Sequence, residues 1–194
     1  MGAGKKVAIG CGGLLLLVFL AVFLGYRWVQ NNHGFTWKDE EVVAIATEAL
    51  PIVVPERFDP MFAGYMEEGL KDPMAFFLDE GSRSNETYLT FFSRTGSFTY
   101  EQMVAEYDSA EGEGSGLRIQ VGKDIEGEEE RFPALYRERE VEVILQEGLD
   151  ENQILQRSLV TIIPEDGRTV MVILKGPADS LPSSTMQELL GSTR

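Results

Sequence analysis

One cysteine, Cys11, and one histidine, His33, occur in the 194 residues. From residue 35 onward neither occurs, and that double absence removes much protein chemistry. Disulfides cannot brace the larger part of the chain, and thiol nucleophiles and Cys or His zinc sites are excluded there. Ser84, Ser93, Ser97 and Ser158 have no histidine or cysteine to activate them, and no Gly-x-Ser-x-Gly elbow occurs. Basic residues are scarce as well. The first 34 residues hold Lys5, Lys6 and Arg27 and no acid, so the remainder sets 14 basic against 32 acidic residues, a formal charge of −18. A surface of that sign repels nucleic acid and anionic headgroups, so no nucleic-acid partner is expected. Glycine-rich phosphate cradles are missing too, because Glu111–Gly116 carries two acids that would repel an anion. No cofactor is expected.

What is present begins with an uncharged run from Val7 to Tyr26, VAIGCGGLLLLVFLAVFLGY. Twenty helical residues span about 30 Å, the thickness of a bilayer's hydrocarbon core. A cleaved secretory signal is shorter and ends at small residues, whereas bulky Phe23 stands near this exit. A lipoprotein signal places its apolar stretch before the cysteine, but here most of it follows Cys11. Met1-Gly2 lacks the Ser or Thr that a myristoylation motif needs at position 6, which is Lys6. The run is therefore expected to be a retained single transmembrane helix. Val7, Leu14, Leu15, Leu16, Leu17, Phe19, Phe23, Tyr26 and Trp28 are its anchoring residues and membrane lipid its partner. Lys5 and Lys6 keep the N-terminus cytoplasmic, and Tyr26 and Trp28 suit the far interface. Ala8, Gly10, Gly12 and Gly13 form a small-residue patch that another helix could approach. The expected division is a cytoplasmic 1–6, a membrane helix 7–26, a linker 27–36 and an extracytoplasmic domain 37–194, periplasmic in a bacterium. His33 reads as a solvent-exposed linker residue.

The domain reads as α+β. Thr36-Trp37-Lys38-Asp39 resembles a capping box ahead of apolar Val42, Val43, Ala46, Ala49 and Leu50, which predicts a helix over 37–50 ended by Pro51. Strands are predicted near 60–66, at Met74–Asp79 and at Thr87–Ser93, the last two flanking the turn-rich Gly81–Asn85. Thr99 with Gln102 makes a second capping box, and Tyr100, Met103, Val104 and Tyr107 share one helical face. Glu111–Gly116 is a flexible loop. Strands follow at Leu117–Val121, Ala134–Gln146, Ile154–Ile163 and Thr169–Leu174, the last two joined by the tight turn Pro164-Glu165-Asp166-Gly167. Ser183–Leu190 closes the chain as an amphipathic helix. One mainly antiparallel sheet packed with about three helices is expected after the membrane helix.

The proline-led entry strand, the mid-chain helix opening on Thr-Tyr-Glu-Gln and the short closing helix make an order that resembles the Mog1/PsbP-like architecture over 55–194. That resemblance implies partner binding or an assembly role rather than catalysis, and it transfers no site residue. The two lysines and the Gly-Cys-Gly-Gly-Leu segment are similar to those of singly anchored bacterial envelope proteins.

Two features invite function. Phe76-Phe77 and Phe91-Phe92 point to opposite faces of their strands, so both sheet faces need cover. Either helices sandwich these strands, or one face offers an apolar surface to a membrane or envelope protein partner. Asp124–Glu130 crowds acids that could attract calcium, but its spacing departs from the EF-hand loop and a solvated loop explains it. No metal or catalytic residue is assigned. The expected function is a membrane-anchored extracytoplasmic binding or assembly module without catalytic activity. The alternatives are a carboxylate-dependent envelope hydrolase and a calcium-dependent binding domain.

Overall fold

The structure, a computed structural model, describes residues 3–67, 71–79, 87–110, 129–150 and 153–192, with Gly69 and Gly127. For residues 3–17, 67 and 108–110 that description covers the backbone alone. The order is α1 (Ala3–His33), α2 (Asp39–Ala49), β1 (Asp59–Glu67), β2 (Lys71–Asp79), β3 (Thr87–Thr95) and α3 (Tyr100–Ala110). Then come β4 (Glu129–Tyr136), β5 (Arg139–Leu149), β6 (Leu155–Glu165), β7 (Arg168–Pro177) and α4 (Ser184–Gly191). The α+β class is as expected. The predicted strand at Leu117–Val121 lies outside the described residues.

All seven strands join one antiparallel sheet in the order β1-β2-β3-β7-β6-β5-β4. Two meanders, β1–β3 and β4–β7, meet where β3 pairs with β7, so the chain enters at one edge and β4 occupies the other. Strand alternation sends neighbouring residues to opposite faces. One cross-strand row reads Ala63, Ala75, Phe91, Val172, Thr161 and Val143. The row behind it reads Phe62, Phe76, Thr90, Ile173, Val160 and Ile144.

The first face carries the larger core. Val42, Ile45, Ala46 and Ala49 recur at helical spacing on α2, and Met186, Leu189 and Leu190 do so on α4; both stripes bury against it. On the opposite face α3 lays Met103 and Tyr107 over Phe92, Val160, Met171 and Ile173. The capping box predicted for α3 is formed: Thr99 N–H donates to Gln102 Oε1 at 2.8 Å, and Gln102 N–H to Thr99 Oγ1 at 3.4 Å.

Two local expectations fail. Thr36 does not cap α2, which starts at Asp39 after Lys38, because the Thr36 backbone is engaged by β1 and its hydroxyl donates to Glu41 Oε2 at 2.5 Å. Ala134–Gln146 is not one strand but the β4–β5 hairpin, turning at Arg137 (φ 46°) and Glu138 (φ 64°). The β6–β7 turn uses the same positive angles at Asp166 (φ 45°) and Gly167 (φ 78°), with the Asp-Gly pair that such turns favour. Arg137-Glu138 carries no such signal.

Candidate interaction surface at the helix–sheet junction

Helix α1 runs unbroken for 31 residues, through the apolar run and most of the predicted linker. It stops where a residue without a Cβ permits the left-handed conformation: Gly34 (φ 53°) donates its N–H to Gln30 O at 3.0 Å. The segment beyond is not a free spacer. Thr36 N–H donates to Ala63 O at 2.9 Å and Ala63 N–H to Thr36 O at 3.0 Å, a strand-like bridge on the outer edge of β1. Gly69 N–H donates to Asn32 O at 3.2 Å, and His33 Nδ1–H to Tyr65 O at 2.9 Å. His33 is thus half-buried and docked on the sheet rather than exposed.

An aromatic stack reinforces these bonds. From the sheet outward the ring centroids lie 4.3 Å (Phe76–Phe62), 5.4 Å (Phe62–Phe35), 5.0 Å (Phe35–Trp37) and 6.1 Å (Trp37–Tyr26) apart. Such offset and edge contacts add about 0.5–1.5 kcal/mol per pair beyond the area they bury. Gly64 makes the close approach possible, because a Cβ there would fall 2.8 Å from Phe35 Cδ2 and 3.2 Å from His33 O. The outer end of the stack is open, with Tyr26 and Trp37 45 and 53 % exposed, and Trp28, whose ring meets His33 edge to face at 5.9 Å, is 54 % exposed.

Behind the stack the charges are paired. Tyr65 donates its hydroxyl proton to Glu48 Oε2 at 2.7 Å, and Arg168 Nη1 stands 3.7 Å from Glu48 Oε1. Burial first, then the bond to Glu48, pushes the Tyr65 phenol up to about 12. Lys38 Nζ bonds Glu41 at 2.7 Å; that bond, then the one from Thr36, holds the Glu41 carboxyl below the ordinary range.

The four phenylalanines Phe76, Phe77, Phe91 and Phe92, read as a possible partner face, are all buried. Phe77 and Phe91 meet edge to face at 5.9 Å under the α2–α4 layer, and Phe92 meets Tyr107 of α3 at 5.2 Å. Phe76 forms the inner end of the stack. Of the expected anchor residues, Phe19, Phe23, Tyr26 and Trp28 are exposed along α1. Val7, Leu14, Leu15, Leu16 and Leu17 lie outside the residues whose side chains are described. Among the residues whose side chains are described, which take in α1 only from Val18 onward, no helix is long and apolar enough to cross a membrane.

Among the described residues no group of three or more His, Cys, Asp and Glu could hold a metal ion. In the acidic loop, Asp124–Glu126 and Glu128 lie outside the described residues; Glu129 and Glu130 begin β4, and Glu129 pairs with Arg131 at 2.7 Å. The buried carboxylates are Asp72 and Glu165, and both are met by arginine. Asp72 Oδ1 accepts Thr95 N–H at 2.6 Å, with Arg94 Nη1 3.2 Å from Oδ2. Glu165 takes Arg137 Nη1 at 2.7 Å and Arg139 Nη2 at 3.0 Å. Carboxylates so paired are unsuited to paired-acid hydrolysis, which needs two acids facing a common substrate. An open groove of about 510 Å³ runs beside β4, lined by Pro133, Leu135, Glu140 and Gln187 among others, without convergent acids.

No family model matches the chain. No curated protein matches it either. Among solved structures it is similar to LpqN, described as involved in cell envelope biogenesis of Mycobacterium tuberculosis, at 14 % identity over 73 % of this chain and 75 % of that one. That likeness has a TM-score of 0.29. It does not show the Mog1/PsbP-like architecture.

The residues that build the junction are not ones that the sequence marks as functional. Phe35, Trp37, Phe62 and Gly64 carry it, and one signal for them exists. Phe35 and Trp37 are large apolar side chains two apart in a stretch otherwise polar enough to be a spacer, and a true spacer has no use for them.

Proposed function

We propose that this chain is a single-pass membrane protein whose N-terminal helix holds an acidic, disulfide-free α+β domain outside the cytoplasm as a non-catalytic binding or assembly module. The observation that carries it is the unbroken passage of the apolar run into a helix locked to the sheet edge. Lys5 and Lys6 supply the orientation. An envelope or membrane protein is the expected partner, and lipid contacts α1.

The test places a single cysteine on the exposed Ser183 in a Cys11→Ser background and labels intact cells with a membrane-impermeant maleimide. Labelling without permeabilisation, with the chain retained in membranes after alkaline carbonate, is expected. Labelling only after lysis, or release by carbonate, would overturn the proposal. Recovery of monomer alone after crosslinking at native expression would count against the partner.

A further inference from the structure

We propose that Tyr26, Trp28 and Trp37 form one aromatic collar seated in the lipid headgroup interface, so that the bilayer holds the β1 edge in a fixed attitude. This rests on the anchoring proposed above and deepens it: the domain does not swing on a tether.

Tyr26 closes the apolar run, and Trp37 comes eleven residues later. Yet their rings lie 6.1 Å apart and within 17° of parallel, because Gly34 turns the chain and the Thr36–Ala63 bridge brings it back beside the helix. Trp37 is therefore held at the level where the apolar surface ends, by Phe35 and Phe62 behind it. Phe19, Val22, Phe23 and Leu24 on the preceding turns are 50 to 73 % exposed, so the collar continues an apolar surface.

Geometry favours lipid over a protein occupant. Tyr26 and Trp28 sit two residues apart on one helix, about 200° around its axis. A single protein face covers one side of a helix, whereas a bilayer interface surrounds it. Indole and phenol rings, apolar in body and polar at one edge, settle at that depth. Exposed Arg27 between them offers a cation at phosphate level. Asp39, Glu40 and Glu41 follow Trp37 in the first turn of α2 and oppose anionic headgroups. Seating is thus by ring burial rather than charge, and salt leaves it unchanged.

The chain has two tryptophans, so Trp28→Phe leaves Trp37 as the sole indole reporter and Trp37→Phe leaves Trp28. The full chain is reconstituted into phosphatidylcholine vesicles with lipid brominated either high on the acyl chains or near their ends. Expected is at least about a twofold loss of Trp37 emission with the shallow bromines, a smaller loss with the deep ones, and no change with added salt. Quenching of Trp28 with Trp37 untouched would overturn the collar while leaving the anchor standing. Failure of the chain to float with vesicles would overturn the anchor itself.

Discussion

The two edges of the sheet are protected in opposite ways. At β1 the exposed backbone is met by a segment from elsewhere in the chain: the Thr36–Ala63 bridge, the His33 bond to Tyr65 O, and the aromatic stack above Gly64. At β4 protection is local, with Pro133 withholding an N–H and Glu129 and Arg131 placing paired charge along the strand. Leu135 stands 63 % exposed on the same edge. An edge that only needs to avoid aggregation can be blunted by its own residues. The β1 edge joins two parts of the molecule, and its geometry comes from contacts between residues distant in sequence.

That difference can be broken from the β1 side first. Phe62→Ala removes the ring between Phe76 and Phe35 and is expected to cost about 3–5 kcal/mol in urea unfolding; a loss near that of a surface substitution would mean the stack does not hold the edge. Gly64→Val drives a side chain into Phe35 and the His33 carbonyl, with an expected cost of about 1–3 kcal/mol. It should also open residues 34–36 to limited proteolysis, and unchanged digestion would show the docking to be dispensable.

A pH experiment sharpens the comparison on the β4 side. Tyr136 ends β4 fully buried, its hydroxyl making no hydrogen bond of normal geometry. Burial, then the nearby Glu165 carboxylate, pushes its phenol up to about 12. The unfolded phenol loses its proton near pH 10, so between about 10 and 12 the folded chain holds more protons and stability falls as pH rises. The contribution is full below pH 10, and the decline reaches at most about 1.4 kcal/mol per pH unit. The gain of Tyr136→Phe over the parent in urea midpoint should be larger at pH 11 than at pH 8; the same difference at both would remove the buried-phenol account. The smallest effect belongs to the exposed side chain. Leu135→Lys should change stability by no more than about 0.5 kcal/mol while lowering concentration-dependent light scattering, and a larger loss would show that this edge is covered after all.

Much of the fold was legible where the signal was local. Thr99 with Gln102 opened α3, Asp166-Gly167 turned β6 into β7, and the doubled phenylalanines marked strands buried on both faces. The Arg137-Glu138 turn was not legible. Neither residue favours positive φ, and what holds them is Glu165, from another hairpin, bonding Arg137 and Arg139. The junction was missed for a similar reason. Thr36 looked like a helix cap because its sequence context is one, but an unpaired β1 edge outcompeted that role.

The sequence by itself determined the α+β class, most of the helix and strand positions, and a strongly acidic stretch from residue 35 onward without cysteine or histidine. These follow from spacing, composition and turn residues, which act within a few positions. Only the tertiary structure decided that β7 lies beside β3, that β4 is an edge, that the predicted linker docks, and that Trp37 stands against Tyr26. Those outcomes depend on which distant surfaces bury each other best, a competition that no local stretch of residues records.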